Sequence, residues 1–207
     1  MTHKEFSLEI SDSYHKLLEI YNVISNDIII LEGKINYDKY DFNNYIGDIT
    51  KNIKWTWGIN LYSKQLFQNA INNILPDINL FFKNNFSIIG ASFITLNEKE
   101  IINPDFHYDI TSHNDIKFES NILTLLFPLY IEKDMGNLEY IENKQTKIYK
   151  YNKNKVVVFD SCKLKHRTQP YSLTEPKKRE LVSINFASES EWAINEVTKS
   201  LNYQGNC

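Results

Sequence analysis

A chain of 207 residues with 42% hydrophobic residues has room for one packed domain and little space for a second. Its two cysteines, Cys162 and Cys207, are too few for a disulfide framework or a zinc thiolate cluster. No apolar run approaches the roughly 20 residues of a membrane span, and the start, MTHKEFSLEISD, lacks the apolar stretch of a secretory signal, so a cytoplasmic chain without a membrane anchor is expected.

The net charge of −3 is unevenly placed. Between Lys144 and Arg179 eleven Lys and Arg face only Asp160 and Glu175, a net of +9. Such asymmetry fits either an anionic partner or a lysine-rich solvated sheet edge. The abundance of Asn, Ile, Lys, Tyr and Phe follows AT-rich codons and carries no function.

In chain order, Ser11 or Asp12 caps a helix with Leu17, Leu18, Tyr21 and Ile24 on one face. The β-branched run from Asp27 to Leu31, closed by Gly33, reads as a short strand. Asn36 to Trp57 is aromatic and irregular, a connector or a loop folded over something. Ser63 opens a second helical pattern with Leu66, Phe67, Ala70, Ile71 and Ile74 on one face, and Pro76 interrupts it before a further turn or two. From Phe86 the period changes to that of strands. FSIIGASFITL is followed by short apolar runs at Asn121 to Tyr130, Asn137 to Ile141, Thr146 to Tyr151, Lys155 to Asp160, His166 to Tyr171 and Arg179 to Ala187. Ser188 and Glu191 then match a capping box that opens a last helix. The expected organisation is α+β in a single domain: 1–85 mainly helical support, 86–187 a double-layer β core, and 188–207 a closing helix.

Within the β core, His107-Tyr108-Asp109 places an imidazole and a carboxylate on one face of a strand, since residues i and i+2 point the same way. A second match, His113-Asn114-Asp115, lies in a polar, turn-prone run, so the apolar flanks favour the first. His166 follows the strand VVVFDS and offers a second imidazole. Two imidazoles and one carboxylate, with coordination positions left open, suit a reactive non-haem iron(II) centre. The chain has only two arginines, Arg167 and Arg179. In RELVSINFA the second shares a face with Leu181, Ser183 and Asn185, opposite the apolar Val182, Ile184 and Phe186. That points a guanidinium inward, where it needs an anion, either a bound carboxylate or Asp160 or Glu180 nearby.

With FITL, FHYD, ILTLLFPLYIEKDMGNLEYIEN, KVVVFDS, HRTQP and KRELVSINF in place, residues 86–187 resemble the iron(II) and 2-oxoglutarate-dependent dioxygenases, most closely the prolyl-hydroxylase branch. The resemblance implies a double-stranded β-helix, the cupin-like jelly roll, with helices bracing one sheet. It implies Fe(II) on His107, Asp109 and His166, and Arg179 on the distal carboxylate of 2-oxoglutarate, with Tyr130 adding a hydroxyl bond to that carboxylate. It also implies dioxygen as co-substrate, Asn185 facing the substrate, and Thr95 or Asn97 lining the co-substrate. The retained Asp109 points to hydroxylation of a C–H bond, on an amino-acid side chain that is free or in a peptide, with succinate and CO2 as co-products. Two departures stand out: Arg179 comes late after His166, with SLTEPKK between them, and the second His-x-Asp leaves the ligand pair to be decided. The competing readings are a cupin-like metal-binding module without turnover and, from the basic stretch, a nucleic-acid demethylase, which the overall acidity opposes.

Overall fold

The computed structural model describes residues 2–46, 53–111, 120–132 and 135–203. In order they form β1 (His3–Ser7), α1 (Asp12–Ile30), β2 (Gly33–Tyr37), β3 (Tyr40–Ile46), β4 (Ile53–Gly58), α2 (Leu61–Ile71), α3 (Leu75–Phe82), β5 (Phe86–Ile101), β6 (Ile122–Ile131), β7 (Leu138–Glu142), β8 (Gln145–Tyr149), β9 (Lys155–Asp160), β10 (His166–Thr168), β11 (Tyr171–Ser188) and α4 (Glu191–Tyr203). Eight strands make one antiparallel sheet in the order β1-β9-β6-β11-β5-β4-β3-β2, and β10-β7-β8 make a second, smaller sheet. This is the expected α+β jelly roll, with α1, α2 and α3 on one face of the large sheet and α4 packed on the other against Ala187, Ile122 and Trp57.

Alternation along the strands decides which layer each side chain enters. Val182, Ile184 and Phe186 of β11, Leu123, Leu125 and Phe127 of β6, and Val156 and Val158 of β9 pack outward with α1, α2 and α3 in the largest core cluster. Leu126, Val157 and Phe159, on the opposite face of the same strands, pack with Leu138 and Tyr140 of the small sheet. The volume between the sheets therefore receives every second residue of β6, β9 and β11, including the face that carries Arg179 and Asn185.

Two expectations for the first third are corrected. Asp27 to Ile30 is the last turn of α1, not a strand: Ile20, Ile24 and Ile28 are all buried at four-residue spacing, and that packing outweighs the β-branched composition. Asn36 to Trp57 is no irregular connector, because its described residues form β2, β3 and β4, which extend the large sheet. His3–Ser7, which carries no clear strand signal, pairs with β9 along the far edge. The large sheet thus recruits four strands from residues before 86.

Asn44 explains why β3 was hard to see. It occupies a buried core position, donates to the carbonyls of Ile28 (2.8 Å) and Leu31 at the end of α1, and accepts from Thr56 Oγ1 (3.0 Å). A polar side chain that caps a helix end thereby interrupts the apolar alternation. Later elements follow the reading closely. The SLTEPKK departure is absorbed by a register shift in the β11–β5 pairing between Ser172 and Lys177. The last helix starts after Ser190, whose carbonyl accepts from Ile194, while Ser188 Oγ donates to Asn121 Oδ1 (2.8 Å) and accepts from Ser190 N (3.4 Å) just before the helix.

Candidate metal centre

The segment from Pro104 to Ile110 is not a strand, contrary to expectation, yet it delivers the predicted pair. It is pinned at three points. Arg167 Nη1 donates to Pro104 O (3.0 Å), His107 and His166 exchange two backbone hydrogen bonds of 2.9 Å each, and Ile110 N donates to Ser161 O (3.3 Å). The Arg167 guanidinium also stacks over Phe106 (4.3 Å) and is held by Glu139 (Nε to Oε2, 2.7 Å).

That pinning brings His107, Asp109 and His166 together, with one ligand atom from each within 4.8 Å of the others. Asp109 Oδ1 lies 3.3 Å from His166 Nε2 and 3.8 Å from His107 Nε2. Bonds of about 2.0–2.2 Å to one ion put ligand atoms roughly 3–4 Å apart, so the three atoms fit a common metal. Each imidazole is oriented for this: Nδ1 of His107 meets Asp105 O (3.2 Å) and Nδ1 of His166 meets Leu164 O (3.0 Å). A carbonyl only accepts, so Nδ1 carries the hydrogen and Nε2 is left to bind. His166 is buried against Phe159, whereas the His107 side chain is 57% exposed and opens the site to solvent. Burial alone would raise the Asp109 carboxyl, but the His166 ring, the Thr124 hydroxyl and His107 hold it down at about 2. Burial pulls His166 the other way, and the Asp109 carboxylate overrides it, leaving the imidazole above its ordinary value. His113 and Asp115, the rival pair, lie outside the described residues.

Arg179 points inward as its face requires. It is 3% exposed, and burial pulls its guanidinium below the ordinary value. Nη1 donates to Gly136 O and Nη2 to Thr168 Oγ1 (3.3 Å), while Nε is buried and has no hydrogen-bond partner among the described residues. Neither Asp160 nor Glu180 neutralises it; they pair with Lys163 (3.1 Å) and Lys178. A buried cation with an unmet donor is a seat for an anion.

No family model matches the chain, and no curated protein matches it by sequence. Solved structures do match. A prolyl-4-hydroxylase from Pseudomonas putida superposes over 91% of this chain and 93% of its own, with 14% identity and a TM-score of 0.58. The viral collagen prolyl hydroxylase from Paramecium Bursaria Chlorella virus-1 matches over 92% and 97%, with 12% identity and a TM-score of 0.55. HygX from Streptomyces hygroscopicus, solved with nickel, 2-oxoglutarate and hygromycin B, matches over 91% and 83%, with 8% identity and a TM-score of 0.56. The chain has the fold of the prolyl hydroxylases.

Within this prolyl-hydroxylase fold the remaining expected site residues separate. Asn185 is brought in: it is 8% exposed, lies opposite Thr124 on β6, and donates from Nδ2 to Thr124 Oγ1 (3.4 Å). Its Oδ1 is buried without a partner among the described residues. Tyr130 is not brought in. It lies opposite Glu180 while Arg179 lies opposite Ile131, because a register shift separates the Glu180 and Leu181 pairings, and its side chain is 47% exposed. The tyrosines that do reach the arginine are Tyr151, whose ring lies 5.8 Å from the guanidinium, and Tyr171. Burial pushes both phenols up to about 12, so they stay neutral. Thr95 bonds Tyr21 (2.7 Å) on the helix side of the sheet and Asn97 is exposed, so neither lines the site.

Sequence reading missed Thr124, Ser161, Thr168, Tyr151 and Tyr171. Only inward alternation along ILTLLFP could have flagged Thr124, as the one hydroxyl on an apolar face. Five of the eleven basic residues of the 144–179 stretch pair with carboxylates: Lys147 with Glu142, Lys155 with Glu5 (3.5 Å), Lys163 with Asp160, Arg167 with Glu139 and Lys178 with Glu180. No described helix is long and apolar enough to cross a membrane.

Proposed function

We propose that this chain is an Fe(II)- and 2-oxoglutarate-dependent oxygenase that hydroxylates an unactivated C–H bond of an amino-acid side chain, free or within a peptide. The observation that carries the reading is the pairing of the His107, Asp109 and His166 cluster with the buried, partly unpartnered Arg179 on the same inner surface. Bound iron and 2-oxoglutarate would supply the oxidising chemistry, with dioxygen giving one oxygen atom to succinate and one to the substrate while CO2 leaves.

The chain's own residues bind, orient and exclude. His166 and Asp109, on the buried side, fix two coordination positions, and His107 completes the set at the exposed side. Arg179 takes the distal carboxylate of the co-substrate through Nε and its neighbouring N–H groups, and Thr168 holds the guanidinium in line. Tyr151 and Tyr171 wall that end with neutral rings, which lowers the local dielectric and strengthens the ion pair. Asn185, with a free carbonyl, faces the substrate and accepts a hydrogen bond from it. The neighbours named above are consistent with peptide or small-molecule substrates. The overall net charge of −3 argues against nucleic acid, and the anion seat argues against a metal-binding module without turnover.

The test is anaerobic titration of the purified chain with Fe(II) and 2-oxoglutarate, followed by a succinate-release screen of amino acids and short peptides in air. A charge-transfer band and substrate-stimulated succinate support the reading; neither appearing sinks it. Asp109→Ala abolishes iron binding and Asp115→Ala does not, and the reverse result moves the ligand pair to His113 and Asp115.

A further inference from the structure

The Asp109 carboxylate has two oxygens, and only Oδ1 faces the two imidazoles. Oδ2 accepts from Thr124 Oγ1 at 2.6 Å. That short contact dictates the direction of every neighbouring bond. An ionised carboxylate can only accept, so Thr124 spends its single hydrogen there. Ser161 Oγ, 2.8 Å from Thr124 Oγ1, must then donate to it, and Asn185 must turn its amide nitrogen toward it. Both lone pairs and the one hydrogen of Thr124 are used. Thr124 is 3% exposed and Ser161 is fully buried, so water does not compete.

We propose that Thr124 is a positioning residue: with Ser161 and Asn185 behind it, it locks Oδ2 away from the metal and makes Asp109 a one-oxygen ligand. The inference rests on the oxygenase reading above. A carboxylate free to rotate can bind an ion through both oxygens and fill a position that the co-substrate and dioxygen need. The lock prevents this and holds Oδ1 at the distance from both imidazoles that an ion requires. The same relay ties Asn185 to a metal ligand through two hydrogen bonds, so the residue that faces the substrate and the residue that faces the metal are held in one geometry.

The experiment uses the full chain and Co(II) as the probe. Co(II) affinity, the visible Co(II) absorption spectrum and the apo melting temperature are measured for wild type, T124V and T124S. Thr124→Val keeps shape and removes the hydroxyl; it is expected to weaken Co(II) by about 10- to 100-fold and to change the spectrum. Thr124→Ser restores both. A T124V protein with wild-type affinity and spectrum overturns the proposal, as does a T124S protein no better than T124V. If T124V does not fold, Ser161→Ala and Asn185→Ala each remove one bond that steadies Thr124. A few-fold loss of affinity in both supports the relay, and wild-type affinity in both overturns it. A wild-type chain that binds no Co(II) overturns the oxygenase reading itself, which separates the two failures.

Discussion

Arg179→Met tests whether the guanidinium exists for the fold or for a ligand, because the two roles predict opposite signs. The substitution removes a charge that is 3% exposed and whose Nε has no partner among the described residues. Replacing a buried charge by an apolar side chain relieves about 1–4 kcal/mol. Losing the bonds to Gly136 O and Thr168 costs about 1 kcal/mol each. The apo variant should therefore lie between about 1 kcal/mol less stable and about 2 kcal/mol more stable than wild type, a shift of about −4 to +8 °C in Tm for a chain this size. Ligand response should move the other way. At 100 times its Kd, 2-oxoglutarate stabilises the Ni(II)-loaded wild type by about 2.7 kcal/mol. Loss of two charge-assisted hydrogen bonds, about 1.5–3 kcal/mol each, leaves the variant with less than about 0.5 kcal/mol at the same concentration. Thermal melts with and without 2-oxoglutarate, under nitrogen, read both quantities. An apo variant destabilised by more than about 2 kcal/mol, or one that keeps the full 2-oxoglutarate shift, refutes the assignment.

Metal affinity should depend on pH through His166, whose imidazole is raised above its ordinary 6.5 by Asp109 and must be neutral to bind. Calorimetric titration should show affinity climbing with pH and levelling off above that ordinary value; a curve already flat at pH 6 contradicts it. Without metal the same ion pair makes a window of stability. Asp109, held at about 2, contributes fully above its unfolded 3.8, and this is lost as pH falls toward 2. His166 contributes below 6.5, and this is lost as pH rises through its raised value. Apo Tm against pH should therefore fall at both ends in wild type and flatten in Asp109→Asn. Arg167→Lys should weaken Co(II) about tenfold, since an ammonium cannot reproduce the Glu139 and Pro104 bonds and the Phe106 stack together; metal titration beside a thermal melt checks that the loss exceeds any general destabilisation. Gly136→Ala would set a Cβ 2.3 Å from the Gln169 backbone oxygen, so it should destabilise by about 1–3 kcal/mol and displace the carbonyl that holds Arg179. Urea unfolding and the 2-oxoglutarate Kd measure the two effects.

The later two thirds of the chain were legible because their signals were local. Strand alternation in RELVSINFA put Arg179 and Asn185 on one face, and that face is the inner one. Two ligands two residues apart needed only the direction of successive side chains, even though the backbone there is a pinned loop and not a strand. The first third was less legible because tertiary contacts overrode composition: Asp27 to Ile30 stays helical to bury Ile28, and Asn44 enters the core to satisfy the end of α1. Tyr130 was misplaced by one register shift, which no single sequence reveals. Thr124 and Ser161 are harder to assign for a different reason. A buried hydroxyl, in a strand as at Thr124 or in a turn as at Ser161, has many uses, and only its place in the chain of hydrogen bonds to Asp109 shows which one applies.

The paired hydrogen bonds between His107 and His166 also bear on how the site comes into being. These residues are 59 positions apart in sequence, and the cost of closing that loop is met by the folding of the two sheets before any ion arrives. Metal uptake should then proceed as capture by a finished frame. The backbone amides of both residues should resist hydrogen exchange in the apo protein, and adding metal should slow that exchange little further. Removing the ion with a chelator would leave an emptied but intact cradle, able to reload as fast as an ion can enter past the exposed face of His107.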